Sequence, residues 1–141
     1  MPAEKVEFAS PAWMEVLSEL LPIYAARAGS DLELSLCEVF LNVPSHLDTD
    51  GGGKIAWHCR LRGGAVDFRL GEADDVDWKT TTDYAFILPY ARQILDASTA
   101  ASSQSHIDEG VKAGLHVSIG DRRKIPPEFY AMHNELALRT L

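Results

Sequence analysis

TDYAFILPYARQIL, residues 82–95, sets nine apolar side chains among fourteen positions, with Pro89 near the middle. Thr80, Thr81 and Thr82 lead into it with β-favouring side chains, and Tyr84, Phe86 and Leu88 alternate. Beyond Pro89, Tyr90, Ile94 and Leu95, with Ala91 nearby, fall on one helical face. The spacing therefore predicts a strand from Trp78 to Leu88 running straight into a helix that begins at Pro89. Both halves are apolar because both face a core, and the excess raises the question of whether that core closes or holds a guest.

Upstream, Ser10-Pro11 is a helix start: Pro at the first helical position loses no bond that would otherwise form, and Ser supplies an oxygen to an orphan N–H. Trp13, Leu17, Leu20, Leu21, Tyr24 and Ala28 then recur at helical spacing. Pro22 is expected to kink or divide this helix, and Gly29-Ser30 to end it. From Leu32 to Val43 the alternation Leu32, Leu34, Leu36 slips phase to Val39, Leu41, Val43, which predicts a long strand bent by a β-bulge. After the loop at 44–53, Ile55, Trp57, Cys59 and Leu61 share one face of a strand. Gly63-Gly64 is a hairpin turn, and Val66, Phe68 and Leu70 form the returning strand.

Downstream, ASTAASSQSH (97–106) is small and polar and reads as a mobile connection. A short helix over 107–113 follows, then a strand with Leu115, Val117 and Ile119 in phase and a Gly120-Asp121 turn. Pro126-Pro127 opens a closing helix with Phe129, Met132 and Leu136 on one face. The whole of 1–141 reads as one α+β domain built on an antiparallel sheet. Its length suffices to hide about 68% of the unfolded surface.

Charge narrows the partners. Acids outnumber bases 21 to 13, a net charge of −8, whereas affinity for nucleic acid comes from basic side chains displacing counterions. Nucleic acid is not expected, and the basic run Arg122-Arg123-Lys124 reads as a solvated turn. MPAEKVEF lacks the basic and apolar regions of a secretory leader, and no apolar run approaches the roughly 20 residues that span a bilayer, so no integral membrane segment and a cytoplasmic location are expected. Cys37 and Cys59, on separate strands and without CxxC spacing, are expected to be buried free thiols.

Fingerprints of catalysis are missing: there is no G-x-S-x-G, no H-E-x-x-H and no glycine-rich loop opening a helix. His46, Asp48 and Asp50 lack the third acid and bidentate Glu of a calcium loop, and His58 and His116 are assigned to outward strand faces, so neither metal nor cofactor is expected. The candidate acid–base groups are Asp67 and Glu38, each on a strand among apolar neighbours. Alternation turns both toward solvent, although Glu38 sits at the phase slip and is compatible with either face.

The order of elements, with SPAWMEVL, DYAFILPYARQIL and GLHVSIGD as its short motifs, resembles the sterol carrier protein type 2 domain. That resemblance implies a five-stranded, mostly antiparallel sheet covered on one face by helices. It also implies an apolar tunnel between the layers that binds or carries a sterol, fatty acid or acyl chain without catalysis. The large or adaptable side chains Trp57, Phe68, Tyr84, Phe86, Phe129 and Met132 suit such a lining, joined by Tyr90 and Ile94 from the second helix. The last helix, behind its basic, Pro-rich hinge, is placed to act as a lid. Two other readings stand beside this one. One is a small isomerase or hydratase resembling nuclear transport factor 2, with Asp67 or Glu38 as general base. The other is a pairing surface formed by the sheet and the closing helix, with no ligand, in which exposed apolar residues of that helix sit against a second copy in a homodimer.

Overall fold

A computed structural model describes residues 4–141; Met1–Ala3, part of the stretch weighed above as a leader, lie outside them. Helix α1 spans Pro11–Ala28. Ser10 caps it, its hydroxyl oxygen accepting from Trp13 N–H at 3.2 Å. Pro22 does not divide the helix. The proline costs the bond its N–H would have given the Ser18 carbonyl. Leu17, Leu20, Leu21 and Tyr24, buried on both sides of it, hold the two halves to one core.

Five strands follow the order β3-β2-β1-β4-β5: β1 (Glu33–Leu41), β2 (Lys54–Arg62), β3 (Ala65–Leu70), β4 (Trp78–Asp83) and β5 (His116–Gly120). Only β1 and β4 run parallel; the other pairs are antiparallel, so the sheet is mixed and mostly antiparallel. The glycine pair between β2 and β3 has φ 56° at Gly63 and 84° at Gly64, the conformation a two-residue hairpin turn requires.

The expected bulge is absent: β1 pairs residue for residue with β2 from Glu33↔Arg62 to Leu41↔Lys54. The apparent slip arises because β1 is the central strand and buries apolar side chains on both faces, Leu34, Leu36 and Phe40 on one and Cys37 and Val39 on the other. Both cysteines are buried and free.

The deciding stretch divides earlier than expected. β4 ends at Asp83, and helix α2 runs Tyr84–Arg92 with Pro89 inside it rather than at its start. Asp83 is the cause: its carboxylate accepts from Phe86 N–H at 3.0 Å, an N-cap that turns the alternating apolar run into helix.

Most of the polar run expected to be a mobile connection is likewise helical, since α3 spans Ala100–Lys112. Asp96 anchors its entry by accepting from Ser98 and Thr99 N–H at 2.8 and 3.1 Å. Its small residues allow close approach: a β-carbon at Gly110 would fall 2.0 Å from Phe86 Cζ. Helix α4 (Glu128–Leu138) packs against α1 and α2, with Tyr24 O–H donating to Glu135 at 2.8 Å and Asn134 bonding Leu95 through both its amide atoms.

The helices cover one face of the sheet. The other face carries exposed polar side chains such as Arg60, Asp67 and Arg69. Among the described residues no helix is long and apolar enough to cross a membrane.

Candidate functional site

Sheet and helices do not close completely on each other. A cavity of about 930 Å³ lies between them, bordered by the sheet floor, by α1 through Trp13 and Leu17, and by α2, α3 and α4. Its size falls in the range of small-molecule sites. Val111 and Tyr130 border it while remaining 54% and 45% exposed, and Ser118 on β5 is exposed as well, so its mouth lies between α3, β5 and α4.

Of the eight side chains expected to line a cavity, Trp57, Tyr90, Phe129 and Met132 border this one. The other four stand behind or beside it. Phe68 stacks on Trp57 with ring centroids 5.8 Å apart, buttressing a wall it does not form. Tyr84 packs on Phe8 and donates to the Phe8 carbonyl at 3.2 Å. Phe86 stacks on His106 at 4.3 Å, and Ile94 yields its place on the wall to Leu95. The Tyr84 and Phe86 assignments move because residues 84–88 are helical, so their side chains project at 100° steps and not alternately.

The two carboxylates weighed as acid–base candidates part company. Asp67 is on the open face of β3, exposed and bonded to Arg69 Nε at 3.1 Å. Glu38 is on the covered face of the central strand and borders the cavity. Burial pushes its pKa up from 4.5 to about 7. The Trp57 indole N–H, directly across in register, pulls the other way, but it stands outside hydrogen-bonding geometry and has no partner among the described residues. Among the described residues no protein group reaches the Glu38 carboxyl in hydrogen-bond geometry.

Register extends Glu38 into a polar row that the sequence reading missed. Trp57, Glu38, Thr80 and Ser118 are consecutive cross-strand neighbours on β2, β1, β4 and β5. Thr80 and Ser118 hydroxyls lie 3.1 Å apart, and Ser118 Oγ is 3.3 Å from His116 Nε2. His116 Nδ1 is 3.0 Å from Thr82 Oγ1, which donates to the Leu115 carbonyl at 3.3 Å.

His116, assigned to an outward face, is in fact buried and inward, while Val117 and Ile119 point out. Burial, aided by His106, holds its pKa below the usual histidine value. His133 on α4 is lowered by burial as well, although its Nε2–H donates to the Gln93 carbonyl at 2.9 Å.

Other charged groups at the cavity are Asp96, Asp108 and Arg122. The guanidinium of Arg122 donates to Tyr130 Oη at 2.8 Å, Arg123 pairs with Asp121 and Lys124 with Asp77, so each member of the basic run has a local partner. Among the described residues no cluster of three metal-ligating side chains occurs. In the loop before β2, Asp48 and Asp50 accept backbone N–H groups of Gly53 and Gly52, and His46 meets Glu7 at 2.8 Å.

No protein-family model matches the chain, and no curated protein matches it. Solved structures do. A conserved hypothetical protein of Thermus thermophilus, a candidate sterol carrier protein, matches with TM-score 0.50 and 17% identity over 97% of this chain and 89% of that one. Sterol carrier protein 2 like 2 of Aedes aegypti matches with TM-score 0.36 and 14% identity over 86% and 95%. An inverting sec-alkylsulfatase of a Pseudomonas species matches at TM-score 0.41 and 19% identity, and the chain spans 14% of that enzyme's length and 78% of its own. The Thermus match shows the fold: this chain has the α+β architecture of the SCP2 domain.

Proposed function

We propose that this chain, as a single domain, binds or carries a hydrophobic small molecule of the sterol or acyl-chain class, without catalysis of its own, in the cavity between its sheet and helices. The observation that carries the reading is an SCP2-like fold whose layers leave about 930 Å³ between them, walled by Leu17, Ile87, Phe129 and Met132. Burying some 400 Å² of apolar guest at about 25 cal/mol per Å² gives on the order of 10 kcal/mol gross. Ordering and association costs remove several of these, leaving affinity in the micromolar range or tighter.

The reading as an isomerase of the nuclear transport factor 2 type loses one of its two bases, since Asp67 is on the open face. Glu38 remains, but the sheet order and the fold likeness favour a carrier.

A neutral apolar fluorophore, N-phenyl-1-naphthylamine, tests the reading. Saturable enhancement of its emission at about one equivalent is expected, and it should weaken at least about tenfold when Met132→Asp places a charge in the wall. Absence of saturable binding to the wild-type chain would contradict the proposal.

A further inference from the structure

On the sheet floor of the cavity the polar groups form one chain, and the direction of their hydrogen bonds can be assigned. Thr82 Oγ1–H donates to the Leu115 carbonyl, so its oxygen accepts from His116 Nδ1–H. That tautomer leaves His116 Nε2 as an acceptor for Ser118 Oγ–H, and the Ser118 oxygen in turn accepts from Thr80 Oγ1–H. The chain runs away from Glu38 at every step. What it leaves facing the void beside Glu38 is the lone-pair side of Thr80 Oγ1, together with a carboxyl that no protein group among the described residues satisfies.

Beside this pair stands the Trp57 indole N–H, unpartnered among the described residues, and the Tyr90 hydroxyl on α2, its pKa raised by burial and by the Glu38 charge, faces the same cavity. Arg122, the one cationic side chain of fixed charge at the cavity among them, is engaged with Tyr130 at the mouth. His116 and His133 face the cavity from β5 and α4, Tyr90 from α2, Asp96 from the turn before α3 and Asp108 from α3 itself. None of these supplies a cation at Glu38.

We infer that Glu38 and Thr80, with Trp57 beside them, form a head-group subsite at the floor of the apolar cavity that takes the hydrogen-bond-donating head of an amphiphile, an aliphatic amine foremost, and refuses a fatty carboxylate. An ammonium head brings three donors to a site that presents acceptors, and its charge compensates that of Glu38. An alcohol brings one donor. A carboxylate brings only acceptors and a like charge. The inference rests on the cavity reading above and narrows it, since fatty acids belong to the broad class but do not suit this floor.

The test is displacement of N-phenyl-1-naphthylamine by dodecylamine, dodecanol and dodecanoate, each below its micellar concentration, at about pH 8.5, where Glu38 is ionised and the amine is protonated. For the wild-type chain, dodecylamine is expected to displace the fluorophore at a concentration at least about tenfold below dodecanoate, with dodecanol between them. In Glu38→Gln the amine-to-acid ratio should fall below about threefold, whereas Asp67→Asn, which removes the same charge from the open face, should retain it. Retained fluorophore binding by Glu38→Gln, with Glu38→Leu as a second variant, shows that the cavity persists.

Equal displacement by amine and acid in the wild-type chain, or a ratio unchanged in both Glu38 variants, overturns the subsite alone. Failure of the fluorophore to bind the wild-type chain overturns the cavity reading and the subsite with it.

Discussion

The two faces of the sheet treat the same chemical group in opposite ways. On the open side Glu72 is paired with Lys54 at 2.8 Å and with Lys79, and Asp67 is paired with Arg69; the lysines hold the Glu72 pKa below its ordinary value. On the covered side Glu38 has no cation and no bond among the described residues, and burial drives its pKa the other way, to about 7. A carboxylate with ready partners on an exposed face is a solubility and register device. One kept unpaired beside a cavity costs stability, which makes it a candidate for work on whatever enters.

The largest effect is expected from adding a second charge to the covered side. Thr80→Asp would put a carboxylate beside Glu38 at a position that is 8% exposed, and a loss of about 3 kcal/mol or more is expected at pH 8 by urea unfolding. A loss under about 1 kcal/mol would mean that the covered face is as wet as the open one.

Removing the existing charge should act with the opposite sign. Between pH 4.5 and 7 the folded chain retains a proton on Glu38 that the unfolded chain releases, so stability falls as pH rises through that window. Glu38→Gln is therefore expected to be more stable than the wild-type chain by about 2–3 kcal/mol at pH 8, with the difference closing as pH falls toward 4.5. A difference that does not change with pH would break the contrast.

On the open face the changes should be smaller. Lys79 touches both Glu72 and Asp74, and its side chain is 15% exposed. Lys79→Met is expected to cost about 1 kcal/mol, shrinking in high salt. Asp67→Asn should stay within about 0.5 kcal/mol at any salt concentration.

Much of the architecture was legible in residue spacing. The Ser10 cap, the Gly63-Gly64 turn, the alternation of β2 and the apolar face of α4 each follow from local rules that tertiary contacts did not override. The failures have a common source, which is that a period is ambiguous where both sides of an element are buried. In β1 the two apolar faces looked like a slip of phase, and with it went the orientation of Glu38.

Strict alternation from Leu34 through Leu36 to Phe40 would have set Glu38 inward, as the one polar residue on an otherwise apolar face. At α2 the signal was a single side chain, Asp83, whose cap outweighs five residues of strand-like alternation. In β5 the apolar phase of Leu115, Val117 and Ile119 misled because the cavity floor there is polar, so His116 and Ser118 take the inward places on an edge strand. No local pattern carries that information; it depends on what lies across the sheet at Thr80 and Thr82.

Trp57 offers the most direct test of the cavity itself, because its indole N–H is buried, unpartnered among the described residues and one strand from Glu38. The measurement is the position of the Trp57 indole resonance in proton–nitrogen correlation spectra as dodecylamine is added. A saturable shift of this resonance at about one equivalent, with the backbone signals of Asp67 and Arg69 unmoved, is the expected result. An indole resonance that stays in place while the guest is in excess would contradict the account.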